Sequence, residues 1–161
     1  MRQRVRVFFT GEAPAWAALL VRRTIRAALR AEGVSVPCEV SVLFTDDAGI
    51  RTLNREQRQV DAPTDVLSFP AFQVTPGAFD PNLGEADPES GRTPLGDMAL
   101  NLDRIYSQGE EYGHGPKRET AYLTAHSVLH LLGYDHLDEG EEKARMRARE
   151  KAIMKELGYD F

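Results

Sequence analysis

The chain opens on alternation: Val5, Val7 and Phe9 fall in one phase and Arg4 and Arg6 in the other, the period of a strand with one buried face. The period then changes over residues 13 to 31, where Ala17, Val21, Ile25 and Ala28 stack at helical spacing opposite arginines and Gly33 ends the run. Val36, Cys38, Val40, Val42 and Phe44 alternate with Glu39 and Ser41. A strand, helix and strand of these lengths predict a parallel, right-handed crossover unit. Asp46 or Asp47 is placed to cap a short helix carrying Ile50 and Leu53 and ending near Arg58.

Asp61, Ala62 and Pro63 turn the chain into TDVLSFP, residues 64 to 70, rich in β-branched and aromatic residues and closed by a proline suited to an edge strand. Residues 71 to 94 carry Pro76, Pro81, Pro88 and Pro94 with Gly77, Gly84 and Gly91, a composition that predicts a mobile loop. LGDMALNL, residues 95 to 102, alternates again and is expected to run antiparallel to the strand before the loop. A helix from Asp103 to about Glu111, a break at Gly113 to Pro116, and a helix started by Pro116 follow. Asp138 with Glu141 three residues later predicts a capped final helix running to Gly158. The expected fold is α+β: one domain over residues 1–161, a small mixed four-stranded sheet covered by about five helices.

The helix started by Pro116 leads into AHSVLHLLGYDH, which holds three of the four histidines in the pattern of a zincin-like metal helix. His126 and His130 stand four apart in an apolar run, which puts both imidazoles on one helix face. Gly133 supplies a left-handed stop, so Tyr134, Asp135 and His136 are expected to turn back and offer a third imidazole. Three ring nitrogens with a vacant fourth position suit catalytic rather than structural zinc. His114, alone, reads as an ordinary hydrogen-bonded histidine. In HExxH peptidases a glutamate base follows the first histidine; here that residue is Ser127.

Composition narrows the setting. The length of 161 residues suits one domain with its own core. The single cysteine, Cys38, sits in strand phase with Val36 and Val40 and is expected to be buried and inert, as in a reducing cytoplasm. No stretch approaches bilayer length, so a soluble cytoplasmic protein is expected. A net charge of −5 argues against indiscriminate coating of nucleic acid. The charge is nonetheless segregated, with arginines in the first thirty residues, basic residues from Lys143 to Lys155, and acid around Asp80 to Glu89.

HSVLHLLGYDH, taken with LNREQRQVDAPTDVLSFP and LGDMALNL, resembles the YbeY family of metal-dependent endoribonucleases nearly end to end. The resemblance implies a metal, usually zinc, on His126, His130 and His136, and a role in activity for Arg58. It also implies cleavage of single-stranded RNA by a metal-activated water, in maturation of the 16S ribosomal RNA 3′ end and in ribosome quality control, with the small ribosomal subunit as partner. Three positions depart from the family pattern: Ser127 replaces a glycine, Gln57 a tyrosine, and Ala62 a basic residue. The Ser127 hydroxyl is expected to crowd the metal or to bond a carbonyl one turn back.

Asp135 and Glu119 are candidates to orient a ligand imidazole. Ser68, with Asp65 nearby, lies on the edge strand where an extended substrate would run, and Phe69, Phe72 and Tyr134 are candidates to stack bases. Two alternatives stand beside the ribonuclease. One is another zinc hydrolase, including a peptidase; the other is a non-catalytic, metal-braced ribosome assembly factor.

Overall fold

A computed structural model describes residues 3–82, 84, 86–135 and 140–160. Strand β1 (Arg4–Phe9), helix α1 (Ala17–Ala31) and strand β2 (Cys38–Thr45) form the expected parallel unit, Val5 facing Val40 and Val7 facing Val42. Both later elements start after the periodicity does. Trp16 is the N-cap of α1, and Pro37, which has no N–H for the sheet, precedes β2. The inward phase of β1 also fades, with Val5 buried and Phe9 41% exposed.

Helix α2 (Asp47–Arg58) is capped by Asp46, whose carboxylate accepts from the Gly49 amide at 2.8 Å. Strand β3 (Val66–Pro70) pairs antiparallel with strand β4 (Thr93–Asn101), and β4 pairs parallel with β2. The sheet order is β1-β2-β4-β3, so it is mixed and β3 is an edge, as expected. β4 begins two residues before the local pattern does because Thr93 lies opposite Cys38.

Helices α3 (Leu102–Glu111), α4 (Gly115–Leu131) and α5 (Glu141–Glu156) complete the fold. Asn101, fully buried, accepts from the amides of Asp103 and Arg104 and so caps α3. The N-cap of α5 is Gly140 rather than the expected Asp138, which lies outside the described residues.

Alternation in the central strands divides the interior. Val40, Val42, Phe44, Met98 and Leu100 face the main core with α1 and α4, while Ala99 and Leu67 face Ile50 of α2 on the other side. Cys38 lies in the main core with no exposure, and burial pushes its thiol pKa up to about 11, leaving it protonated and inert at neutral pH.

Several surface arginines are paired within the chain: Arg6 meets Glu39 across the β1–β2 pair at 2.6 Å, Arg30 meets Glu156 at 2.6 Å, and Arg51 meets Asp61 at 2.8 Å. These exposed pairs contribute little stability each, but they occupy charge that the sequence alone leaves available for phosphate.

α4 runs through the middle, packed by α1, α3, α5 and the sheet. From Glu119 to Leu132 every residue is buried except Tyr122, His126 and His130. A helix apolar on nearly all sides belongs inside a domain. Its one open stripe follows the inclined ridge of residues four apart.

Gly133 stops α4 with φ of +93°, as expected, and for a second reason: a Cβ there would collide with the carbonyl oxygen of Val74 in the β3–β4 loop. Gly113, with φ of +74°, has nothing within 4 Å of such a Cβ. Gly133→Ala should therefore cost clearly more stability in urea unfolding than Gly113→Ala, whose cost is backbone strain of about 1 kcal/mol. Equal losses would show that the Val74 contact is not structural.

Candidate metal centre

His126 and His130 sit on the open stripe of α4 with their Nε2 atoms 3.1 Å apart and their rings nearly perpendicular, at 82°. What turns them toward each other is the bonding of the opposite nitrogens. The His126 Nδ1 lies 2.5 Å from Oε2 of Glu150, and the His130 Nδ1 lies 3.0 Å from the carbonyl oxygen of Tyr134. A carbonyl only accepts, and an ionised carboxylate only accepts, so each Nδ1 carries a hydrogen and each ring turns its Nε2 toward the other.

Both partners are themselves anchored. Glu150 is 3% exposed on α5, in the inward phase with Met146, Ile153 and Met154. Its Oε1 accepts from the Tyr122 hydroxyl at 3.4 Å. Burial, with the Glu150 charge beside it, pushes the Tyr122 pKa up to about 12, so this hydroxyl stays a donor. Tyr134 is held from the other side. Its hydroxyl donates to Oε1 of Glu32 at 2.6 Å, and Arg149 donates to Oε2 of the same carboxylate at 2.6 Å.

The groove in front of the pair measures about 710 Å³ and is walled by β3, the end of α2 and the turn after α4. Arg58 lines it, donating through Nη2 to the Ser68 carbonyl, with its Cζ 5.4 Å from the centroid of the Phe69 ring. The structure thus brings Arg58, His126 and His130 to one groove. His136 lies outside the described residues, and among the described residues no three His, Cys, Asp or Glu side chains converge as a metal-binding group.

Other expectations resolve differently. Ser127 is fully buried, and its Oγ meets Ser68 Oγ at 2.6 Å; it therefore ties α4 to β3 instead of bonding a carbonyl of its own helix. Glu119 does not reach His126 or His130: Oε1 bonds His114 at 2.9 Å and Oε2 accepts from Gln108 at 2.6 Å. Asp135 lines the groove, but the carboxylate on His126 is Glu150, which the sequence reading missed. Tyr134 is 5% exposed and committed to Glu32, so it is a brace and not a platform for bases. His114 is bonded at both nitrogens, to Glu119 and to Arg118.

The family model described as Endoribonuclease YbeY matches residues 12–158. The chain belongs to the YbeY family. Curated YbeY-family relatives named Endoribonuclease YbeY include one from Clostridium acetobutylicum, 49% identical over 140 residues and covering 83% of this chain and 84% of that one. Another, from Chloroflexus aggregans, is 50% identical over 143 residues and covers 88% of each. The solution structure of TM1509 from Thermotoga maritima shares the fold, with a TM-score of 0.57 over 95% of this chain and 91% of that one, at 22% identity.

Within this YbeY-family site the tautomers are testable without metal. Long-range proton–nitrogen correlation at pH 8 should show His126 and His130 as Nδ1–H forms and His114 as Nε2–H, since Arg118 donates to the His114 Nδ1 at 2.9 Å. Glu150→Ala should alter His126 and leave the His130 tautomer in place. An Nε2–H form of His126 or His130 in the wild type would contradict the assignment.

Proposed function

We propose that the chain is a metal-dependent endoribonuclease specific for single-stranded RNA, with a divalent ion of the zinc class on His126, His130 and His136. The observation that carries the reading is the facing of two Nε2 atoms at 3.1 Å with both Nδ1 atoms bound to acceptors. Ligands roughly 2.0–2.1 Å from a tetrahedral zinc lie roughly 3.3 Å apart, so the pair fits a shared ion, and bonded Nδ1–H groups are the usual support for such ligands. When bound, the ion supplies a water acidified to near neutrality and a Lewis acid for a phosphoryl oxygen.

The chain's own residues do the rest. Arg58, steadied by the Ser68 carbonyl and the Phe69 face, offers its guanidinium to the phosphate oxygens on the groove side. The edge strand β3 gives an extended substrate a straight wall. The Ser68–Ser127 bond fixes that wall relative to the histidines, and so fixes the distance at which Arg58 meets the scissile phosphate. The names of the relatives support RNA as the substrate. By the same kinship the reading extends to ribosomal RNA, to 16S 3′-end maturation and quality control on the small subunit, and to the cytoplasm. Among the described residues no helix is long and apolar enough to cross a membrane.

A zincin-type peptidase is disfavoured by Ser127: the position of the glutamate base holds a fully buried hydroxyl bonded to Ser68. Assaying RNA and peptide pools with one preparation should give RNA cleavage alone. His126→Ala and His130→Ala should lose metal and cleavage together, while Arg58→Ala keeps its metal and loses about 10²-fold or more in kcat. Cleavage by chelated His130→Ala protein would overturn the reading.

A further inference from the structure

The open stripe of α4 does not end at the histidines. Upstream of His130 and His126 it continues through Tyr122 to Arg118, at steps of four residues, about 18 Å along the axis at 1.5 Å per residue. His126 lines the Arg58 groove and also a second cleft of about 300 Å³ with Lys143, Met146 and Arg147. Tyr122 and Arg147 in turn line both that cleft and a third, of about 350 Å³, walled by Tyr112, His114 and Arg118. The three clefts therefore share walls and form one path leading away from the candidate metal centre.

Its chemistry is cationic and aromatic. Lys143, Arg147 and Arg118 line the second and third clefts, and the two carboxylates there, Glu119 and Glu150, are buried and hydrogen-bonded to histidines. Arg118 is fixed as a wall by its bonds to the Asp160 carbonyl and to His114. The Arg147 side chain is 61% exposed; its Nη1 donates to the Tyr122 hydroxyl at 3.4 Å and lies 3.7 Å from Oε1 of Glu150, so the guanidinium is held at the cleft wall with much of it open to solvent. Tyr112, at the C-cap of α3, is 58% exposed, its ring tilted against His114 at 5.7 Å between centroids. An exposed ring beside guanidinium groups is how single-stranded nucleic acid is held without regard to sequence, because every base has a face to stack and every step a phosphate.

We propose that this path is a binding track for single-stranded RNA, with the Tyr112 ring as a base platform and Arg147 as a phosphate contact, extending the substrate beyond the scissile step. The nature of the strand rests on the ribonuclease reading above; the track itself is tested without turnover. Binding of a fluorescein-labelled uridylate decamer is followed by fluorescence anisotropy with the full chain in EDTA, where the metal-dependent reaction cannot run. Tyr112→Ala should raise Kd at least fivefold and Tyr112→Phe should restore it to within twofold of wild type. Arg147→Ala should weaken binding and flatten the slope of log Kd against log salt by about 0.7, the loss of one single-strand phosphate contact.

A wild-type protein that does not bind the decamer, either alanine variant binding as wild type, or a Tyr112→Ala loss that Tyr112→Phe fails to restore would each overturn the track. Absence of cleavage by metal-loaded protein would count against the catalytic reading alone, since binding in EDTA is measured apart from it.

Discussion

Two hydrogen bonds to ring nitrogens organise this molecule's interior: Glu150 on the His126 Nδ1 and the Tyr134 carbonyl on the His130 Nδ1. Without them each imidazole could rotate or change tautomer, and the Nε2 atoms would have no reason to face one another. Meeting that requirement takes several elements. α5 must lie against α4 to deliver a buried carboxylate, and the chain after α4 must turn back sharply enough for Tyr134 to reach His130. Gly133 makes that turn possible, and the Glu32–Arg149 pair, linking the end of α1 to α5, holds the Tyr134 hydroxyl in place.

Burial gives these bonds their strength and their cost. Carboxylates such as Glu32 and Glu150, nearly cut off from water, are tolerable only because each accepts from more than one donor. The same logic places the opening. α4 is surrounded on most of its circumference, so solvent reaches it along a single inclined ridge, and the polar groups that need access stand on that ridge. Fold and site are thus one arrangement: the packing that stabilises the domain also decides which side chains meet the groove.

Much of this was legible in the chain as text. The alternation in Val40, Val42 and Phe44, the four-residue step between His126 and His130, and the glycine stop at Gly133 are local signals and have local consequences in the structure. What could not be read depended on distant partners. β4 starts at Thr93 because of its pairing with β2, which no window of local sequence contains. Ser127 follows no rule about its own helix because its hydroxyl bonds that of Ser68, 59 residues away. Glu150 had one trace in the sequence, a carboxylate in the inward phase beside Met146 and Ile153, but its target is 24 residues upstream on another helix. Glu119 misled for a geometric reason: a step of seven residues runs straight along the axis to His126, whereas the open ridge is inclined, and at that height Glu119 has turned under α3.

The central claim is that the facing imidazoles hold a divalent ion. Metal content per chain, measured by elemental analysis on protein purified without a metal-affinity resin, tests it most directly. The account predicts about one zinc-class ion per chain in the wild type and its loss in His126→Ala. Wild-type protein that carries no divalent metal, takes none up when zinc is supplied, and yet cleaves RNA would contradict it.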